Sequence, residues 1–461
     1  MTIRFVQLPK VIIMICYLLL AMLASGCDNL AKGVTEAILS MQSKKEDIRK
    51  CYIRGRPFEG LEAKLKRQEQ LAQAKKSGHP VLKALMVHGI GSPQPGYSTR
   101  LAENLAQALS LNRVQETIKE ITITHPMFPS QDLGLLRLTR YMNANENKEF
   151  IFAELTWEPI IAKEKQTIIF DNSGEYSFRR THINNTLKVF LNDTIPDVMM
   201  FNGTSRQQMI VSVSQSLCWL MSEKWESLQI KTAQFCDATA PNRMNKIDDE
   251  FVFISHSLGS RITVDALQRL PNIISNISKL DDAPAENMQN FQSTAVTPLQ
   301  TNTKSNFLKK KRLLQQKEFT VFMLSNQLPL LQMGQLKPGV TERIAEICSP
   351  EATHAAEKLF SKTHLIAFSD PNDLFSYALP PNFINEYMDS RLCPILTNAI
   401  LNVTSITDIF VGQFANPVAA HTEYDNDPRV IGLIAKGIGH NDIDSGVDEH
   451  CTWLESVPDS Q

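Results

Sequence analysis

Four short stretches carry residue types that together could perform nucleophilic chemistry. "FVFISHSLGSRI" (251–262) sets Ser257 between a histidine and a leucine, with Gly259 two places on. "MVHGIG" (86–91) ends an apolar run in a histidine and glycines. "HLIAFSDPNDLFSYALP" (364–380) ends another in Asp370 and Asp373, and "SITDIFVGQFANPVAAH" (405–421) leads to His421. Serine is a weak nucleophile near neutral pH. It reacts when an imidazole takes its proton, a carboxylate orients that imidazole, and backbone N–H groups stabilise the oxyanion.

These residues matter only if the chain can bring them together. The apolar run 251–254 enters S-H-S-L-G, and Leu258, Ile262 and Ala266 follow at helical spacing. A strand turning sharply into a helix needs small residues two places either side of the turn residue. Gly259 meets this, and Ser255 stands where glycine is usual. The alternative is a serine that merely caps a helix. "VLKALMVHGIGS" followed by "STRLAENLAQALSL", with leucines at 101, 105 and 109, reads as strand, glycine turn and helix. Further strand-length runs lie at 149–157, 251–255, 319–325, 364–370 and 405–414. Near-continuous apolar strands separated by helical segments predict a doubly wound, mostly parallel α/β sheet.

Two intervals exceed simple crossovers. Residues 158–248 contain the apolar "QQMIVSVSQSLCWLMSEKW" and are expected to form a cap or lid. Residues 272–317 are polar and read as a flexible insertion, whose basic cluster Lys309–Arg312 reads as a solvated face. Residues 27–79 read as a helical tether, leaving 80–461 as the principal domain.

In this order the motifs resemble the serine esterases and lipases of the α/β-hydrolase superfamily, over roughly residues 80–440. The resemblance implies Ser257 as nucleophile, with the Ile90 and Leu258 N–H groups as the oxyanion hole. It implies an acid after a late strand, Asp373 with Asp370 as the alternative, and a base after the last strand, His421 with His440 as the alternative. An Asx turn around Pro371 would account equally for the two aspartates. His88 belongs to the oxyanion turn, and His256 is expected to point away from the nucleophile. The implied substrate is an acyl ester or lipid, with no cofactor. Phospholipase, thioesterase and acyltransferase chemistry share the acyl-serine step, and a catalytically silent binding lipoprotein is the competing class.

The N-terminus points to export. Arg4 and Lys10 precede the 14-residue apolar run "VIIMICYLLLAMLA", shorter than the ~20 residues of a membrane span. It meets "ASGC", which resembles a bacterial lipobox, so residues 1–26 read as a lipoprotein signal peptide and Cys27 as the lipidated residue. An uncleaved anchor is the alternative. The sorting rule that comes with the resemblance makes Asp28 favour the periplasmic face of the inner membrane. Six further cysteines (Cys51, Cys218, Cys236, Cys348, Cys393, Cys451), without any CxxC, predict one to three structural disulfides. A formal net charge of -2 argues against nucleic-acid binding. "GHNDIDSGVDEHC" (439–451) gathers metal-ligand residue types but lacks the glycine position of a calcium loop, so no metal is expected.

Overall fold

The computed structural model describes residues 51–75, 81–114, 118–238, 240, 243–279, 301–409, 412–439, 447 and 451–455. Among them twelve strands form one sheet. In chain order these are β1 (Cys51–Gly55), β2 (Val81–Val87), β3 (Asn112–Arg113), β4 (Lys119–Thr124), β5 (Asp132–Met142) and β6 (Glu149–Thr156). They continue with β7 (Lys231–Gln234), β8 (Glu250–His256), β9 (Glu318–Leu324), β10 (Lys362–Ser369), β11 (Pro394–Ile400) and β12 (Cys451–Glu455). The spatial order is β12-β1-β11-β10-β9-β8-β2-β6-β5-β4-β7, with β3 beside β5. The six strands from β11 to β6 are all parallel. Antiparallel pairs flank them, β1 on β11 at one side and β6, β5 and β4 at the other.

Apolar side chains leave both faces of these strands, which is what a sheet covered on both sides requires. On one face Leu85, Val87, Phe253, Val321 and Met323 pack with Ile210, Val213, Ile262 and Ala266. The last four belong to α5 (Arg206–Ser222) and α6 (Leu258–Lys279). On the other, Leu82, Ala84, Met86, Val252 and Ile254 pack with α1 (Leu61–Lys75), α2 (Thr99–Ala108) and α9 (Pro428–Lys436), through Leu61, Leu101, Leu105 and Leu433. The architecture is thus α/β with a large, mostly parallel central sheet.

Several expected elements take other positions. The tether expected over 27–79 is built into the domain from Cys51 to Lys75: β1 pairs with β11 and β12, and α1 buries Leu61 and Leu65 on the sheet. Residues 27–50 lie outside the described residues. The 158–248 interval divides. Its first part forms α3 (Ala162–Ile169) and α4 (His182–Asn202), whereas α5 is a crossover helix on the sheet face and β7 extends the sheet beside β4. Within 272–317, α6 continues to Lys279 and α7 spans Thr301–Leu314, with 280–300 outside the described residues. The expected strand at 405–414 is a separate hairpin, Ile406–Ile409 with Gly412–Ala415, and the last parallel strand is β11.

All six cysteines are paired, as Cys51–Cys451, Cys218–Cys236 and Cys348–Cys393. The first joins β1 to β12, which pair as parallel strands at one edge of the sheet. Replacing Cys51 and Cys451 together by alanine should lower unfolding free energy by about 2–4 kcal/mol, with faster amide exchange first in 451–455. An unchanged denaturation midpoint would show that the bridge does not hold this edge.

Candidate active site

Open parallel sheets gather functional groups at the carboxyl ends of their strands. Here β2 delivers the 88–91 turn, β8 Ser257, β9 Ser325 and β10 the loop carrying Asp370 and Asp373. His421 follows β11 on the short helix α8 (Pro417–Thr422), whose start is capped by the Asn416 side chain.

Ser257 connects β8 to α6 with φ +54°. A non-glycine residue in this left-handed region costs on the order of 1–3 kcal/mol, so neighbours must hold it there. Its N–H donates to Leu324 O at 3.0 Å, and its carbonyl accepts from Ser260 N at 3.0 Å. A Cβ on Gly259 would stand 2.3 Å from Val87 O, so only glycine lets α6 start this close to β2. Ser255 fits because its hydroxyl has partners, Phe322 O at 3.3 Å and Ser260 Oγ at 3.2 Å. Leu258 begins α6, so its N–H is one of the helix's unpaired N-terminal donors.

The base and acid expected from the sequence meet. His421 Nδ1 lies 2.9 Å from both carboxylate oxygens of Asp373. Burial alone would raise the Asp373 pKa, yet hydrogen bonds from His421 and Ser325 hold it below its ordinary value. Asp370 plays a different part. It accepts from Asn372 N, Asn402 Nδ2 and Val403 N, tying together the loops after β10 and β11. His440 lies outside the described residues, as does Cys27. Ser257 Oγ and His421 Nε2 are both buried, and neither has a hydrogen-bond partner among the described residues.

Ser325 escaped the sequence reading. It too has positive φ, +50°, and its hydroxyl donates to Asp373 Oδ2 at 2.6 Å while lying 2.8 Å from His421 Nδ1. The signal was there: "FTVFMLSN" ends an apolar strand in a polar pair just as "FVFISHS" does. The His256 side chain reaches toward His421, its Nε2–H donating to the His421 carbonyl at 2.7 Å. Burial, then the nearby His421, lowers its pKa to about 4, so it stays neutral.

The turn after β2 presses on the serine. A Cβ on Gly89 would stand 2.6 Å from Ser257 Cβ. His88 stacks on Trp157 at 4.5 Å, and Trp157 N–H donates to its Nε2 at 3.2 Å, leaving Nδ1–H to bond Gly89 O at 2.8 Å. Burial lowers the His88 pKa to about 3, which fits this neutral ring. Glu154 on β6 accepts from Gly96 N and Ser98 N, fixing the far end of the loop.

Helices α3 and α4 secure the middle. Gly91 N–H, next to Ile90, donates to Asp197 Oδ2 of α4 at 2.6 Å, and Ser92 Oγ to Asp193 Oδ1 at 2.7 Å. Lys165 of α3 pairs with both aspartates, at 2.9 and 3.0 Å. Burial pushes the Asp197 carboxyl from 3.8 up to about 6, against the downward pull of Lys165 and the Gly91 N–H.

No family model, no curated protein and no solved structure matches this chain. Among the described residues no helix is long and apolar enough to cross a membrane.

Asp197→Ala should leave the Gly91 N–H without its acceptor, cost about 1–3 kcal/mol, and speed amide exchange at Gly89–Gly91. Asp197→Asn, which keeps an acceptor oxygen, should restore most of that protection. Because the folded carboxyl binds its proton more tightly than the unfolded one, its contribution to stability falls as pH rises from about 4 through about 6. Asp197→Asn should remove that slope, and an unchanged slope would contradict the clamp.

Proposed function

We propose that the protein is an exported, lipid-anchored serine hydrolase of the α/β-hydrolase type that cleaves carboxylic esters. The observation that carries this reading is the Asp373–His421 pair at 2.9 Å, tied through the His421 carbonyl to His256, the residue before Ser257, which itself holds φ +54° at the start of α6. The chain order serine, acid, base, with an HG turn after an earlier strand, is the order of that superfamily.

In this reading His421 Nε2 takes the Ser257 proton as Oγ attacks the ester carbonyl carbon. Asp373 fixes the imidazole with its proton on Nδ1 and stabilises the cation that forms. The tetrahedral oxyanion is received by the Leu258 and Ile90 N–H groups, helped by the positive end of α6. Collapse breaks the carbon–alkoxide bond, His421 protonates the leaving alcohol, and a water then hydrolyses the acyl-serine by the same steps. Asp197, Lys165 and Trp157 position the oxyanion turn. Phospholipase, thioesterase and acyltransferase activities would use the same serine and differ in leaving group or acceptor.

Export is supported by the pairing of all six cysteines, which persists in oxidising compartments. The anchor would be Cys27, at the periplasmic face of the inner membrane. A specific observation favours a second reading, a catalytically silent binding lipoprotein: Ser257 is 0% exposed and its Oγ is unpartnered.

The parent should hydrolyse short-chain p-nitrophenyl esters. Ser257→Ala and His421→Ala should each lose at least a thousandfold while keeping the parent's circular dichroism, and Cys27→Ser should lose membrane partition but not turnover. A folded parent without turnover would select the silent reading.

A further inference from the structure

Away from the serine, a cavity of about 410 Å³ opens between α5, α6 and the loop at residues 336–339. Arg206, Arg261, Arg269 and Lys337 line it, with Asp265 and Asp389. One carboxylate serves two guanidinium groups there: Asp265 lies 2.7 Å from Arg206 Nη2 and 2.9 Å from Arg261 Nε. Asp389 is taken by Arg391 at 2.5 Å, and Lys337 faces Glu386 at 3.6 Å. Arg269 has no carboxylate partner among the described residues and donates only to the Gln207 side-chain oxygen. Among the described residues, five cations against three carboxylates leave two positive charges uncompensated, in a chain whose formal net charge is -2.

Burial makes that excess consequential. Arg261 is 2% exposed, and burial lowers the pKa of both Arg261 and Arg269. A guanidinium withdrawn from water is stabilised by an anion that accepts from its fork. The neutral lining is also donor-rich. Gln207 spends its side-chain oxygen on Arg269, Gln268 on the Asp389 N–H, and Asn272 on Arg391. Each keeps an amino group, so the lining offers donors to a ligand that carries only acceptors.

We propose that this cavity is a binding site for a phosphate or phosphodiester group, held between Arg269 and the Arg206–Arg261 pair. Several acceptor oxygens and up to two negative charges match the donors and the excess charge, which one carboxylate would leave half-used. The group can come from free phosphate or from a phospholipid headgroup. The site stands independently of the hydrolase reading, and Ser257→Ala chain separates binding from turnover.

Calorimetric titration of detergent-solubilised, full-length Ser257→Ala chain should be run with inorganic phosphate and with a short-chain phosphatidylglycerol, and repeated with Arg269→Gln added. Saturable 1:1 binding, weakened about tenfold by Arg269→Gln through loss of a charge-assisted contact, is the expected result. Binding of inorganic phosphate identifies free phosphate as sufficient, and binding of the lipid alone identifies a headgroup site. No saturable binding of either up to about 10 mM, well beyond a millimolar Kd, would overturn the proposal. So would binding that Arg269→Gln leaves unchanged.

Discussion

Two backbones nearly touch where α6 begins, and the rest of the site depends on that contact. A Cβ at Gly259 would meet Val87 O at 2.3 Å and His88 O at 2.4 Å, so the helix can start over β2 only through a glycine. The chain must then turn within one residue of leaving β8, and Ser257 takes the left-handed conformation that this demands. The same closeness lays Gly89 against the serine and sets the first helical N–H, that of Leu258, beside the turn after β2. A wider contact would relax φ at 257 and separate the two proposed oxyanion donors together.

Around this contact the parallel sheet works as an alignment device. Its register brings the ends of β2, β8, β9 and β10 into one row, so residues from 88 to 373 become neighbours. The polar groups so gathered are mostly bonded to one another. Asp373 is shared by His421 and Ser325, Asp370 ties two loops, and Asp197 is shared by Gly91 and Lys165. Removing one member of such a buried set leaves another charged or polar group without a partner, which costs more than the bond itself. Ser257 Oγ and His421 Nε2 are among the buried atoms without a hydrogen-bond partner, and these are the two that the proposed chemistry joins.

How much of this was legible depended on how local the signal was. The strands at 149–156, 250–256, 318–324 and 362–369 each carry an apolar stretch of four or more residues and are buried along nearly their whole length. β11 was missed because "PILTNAI" is interrupted by Thr397 and Asn398, whose polar atoms bond Arg56 O and Leu379 within the fold. β1 was missed because its alternating burial spans only five residues and its partners lie some 350 to 400 positions away. Ser257 and Asp373 could be picked out because each follows a recognisable strand end. Asp197 could not: on α4 it looks like any solvent-facing aspartate, and only the tertiary approach of that helix to Gly91 buries it. His421 was reached through a misplaced last strand, since the hairpin taken for that strand and the true β11 both precede it.

The proposed chemistry requires Ser257 to be activated by His421 and not simply to serve as a turn residue. A fluorophosphonate forms a bond to a serine oxygen when a base removes the proton and donors receive the developing charge. The most direct measurement is therefore peptide mapping by mass spectrometry of the folded, full-length protein after exposure to such a probe. The account predicts one adduct, on Ser257, that disappears in His421→Ala; a folded protein with no adduct, or with the adduct on another serine, would contradict it.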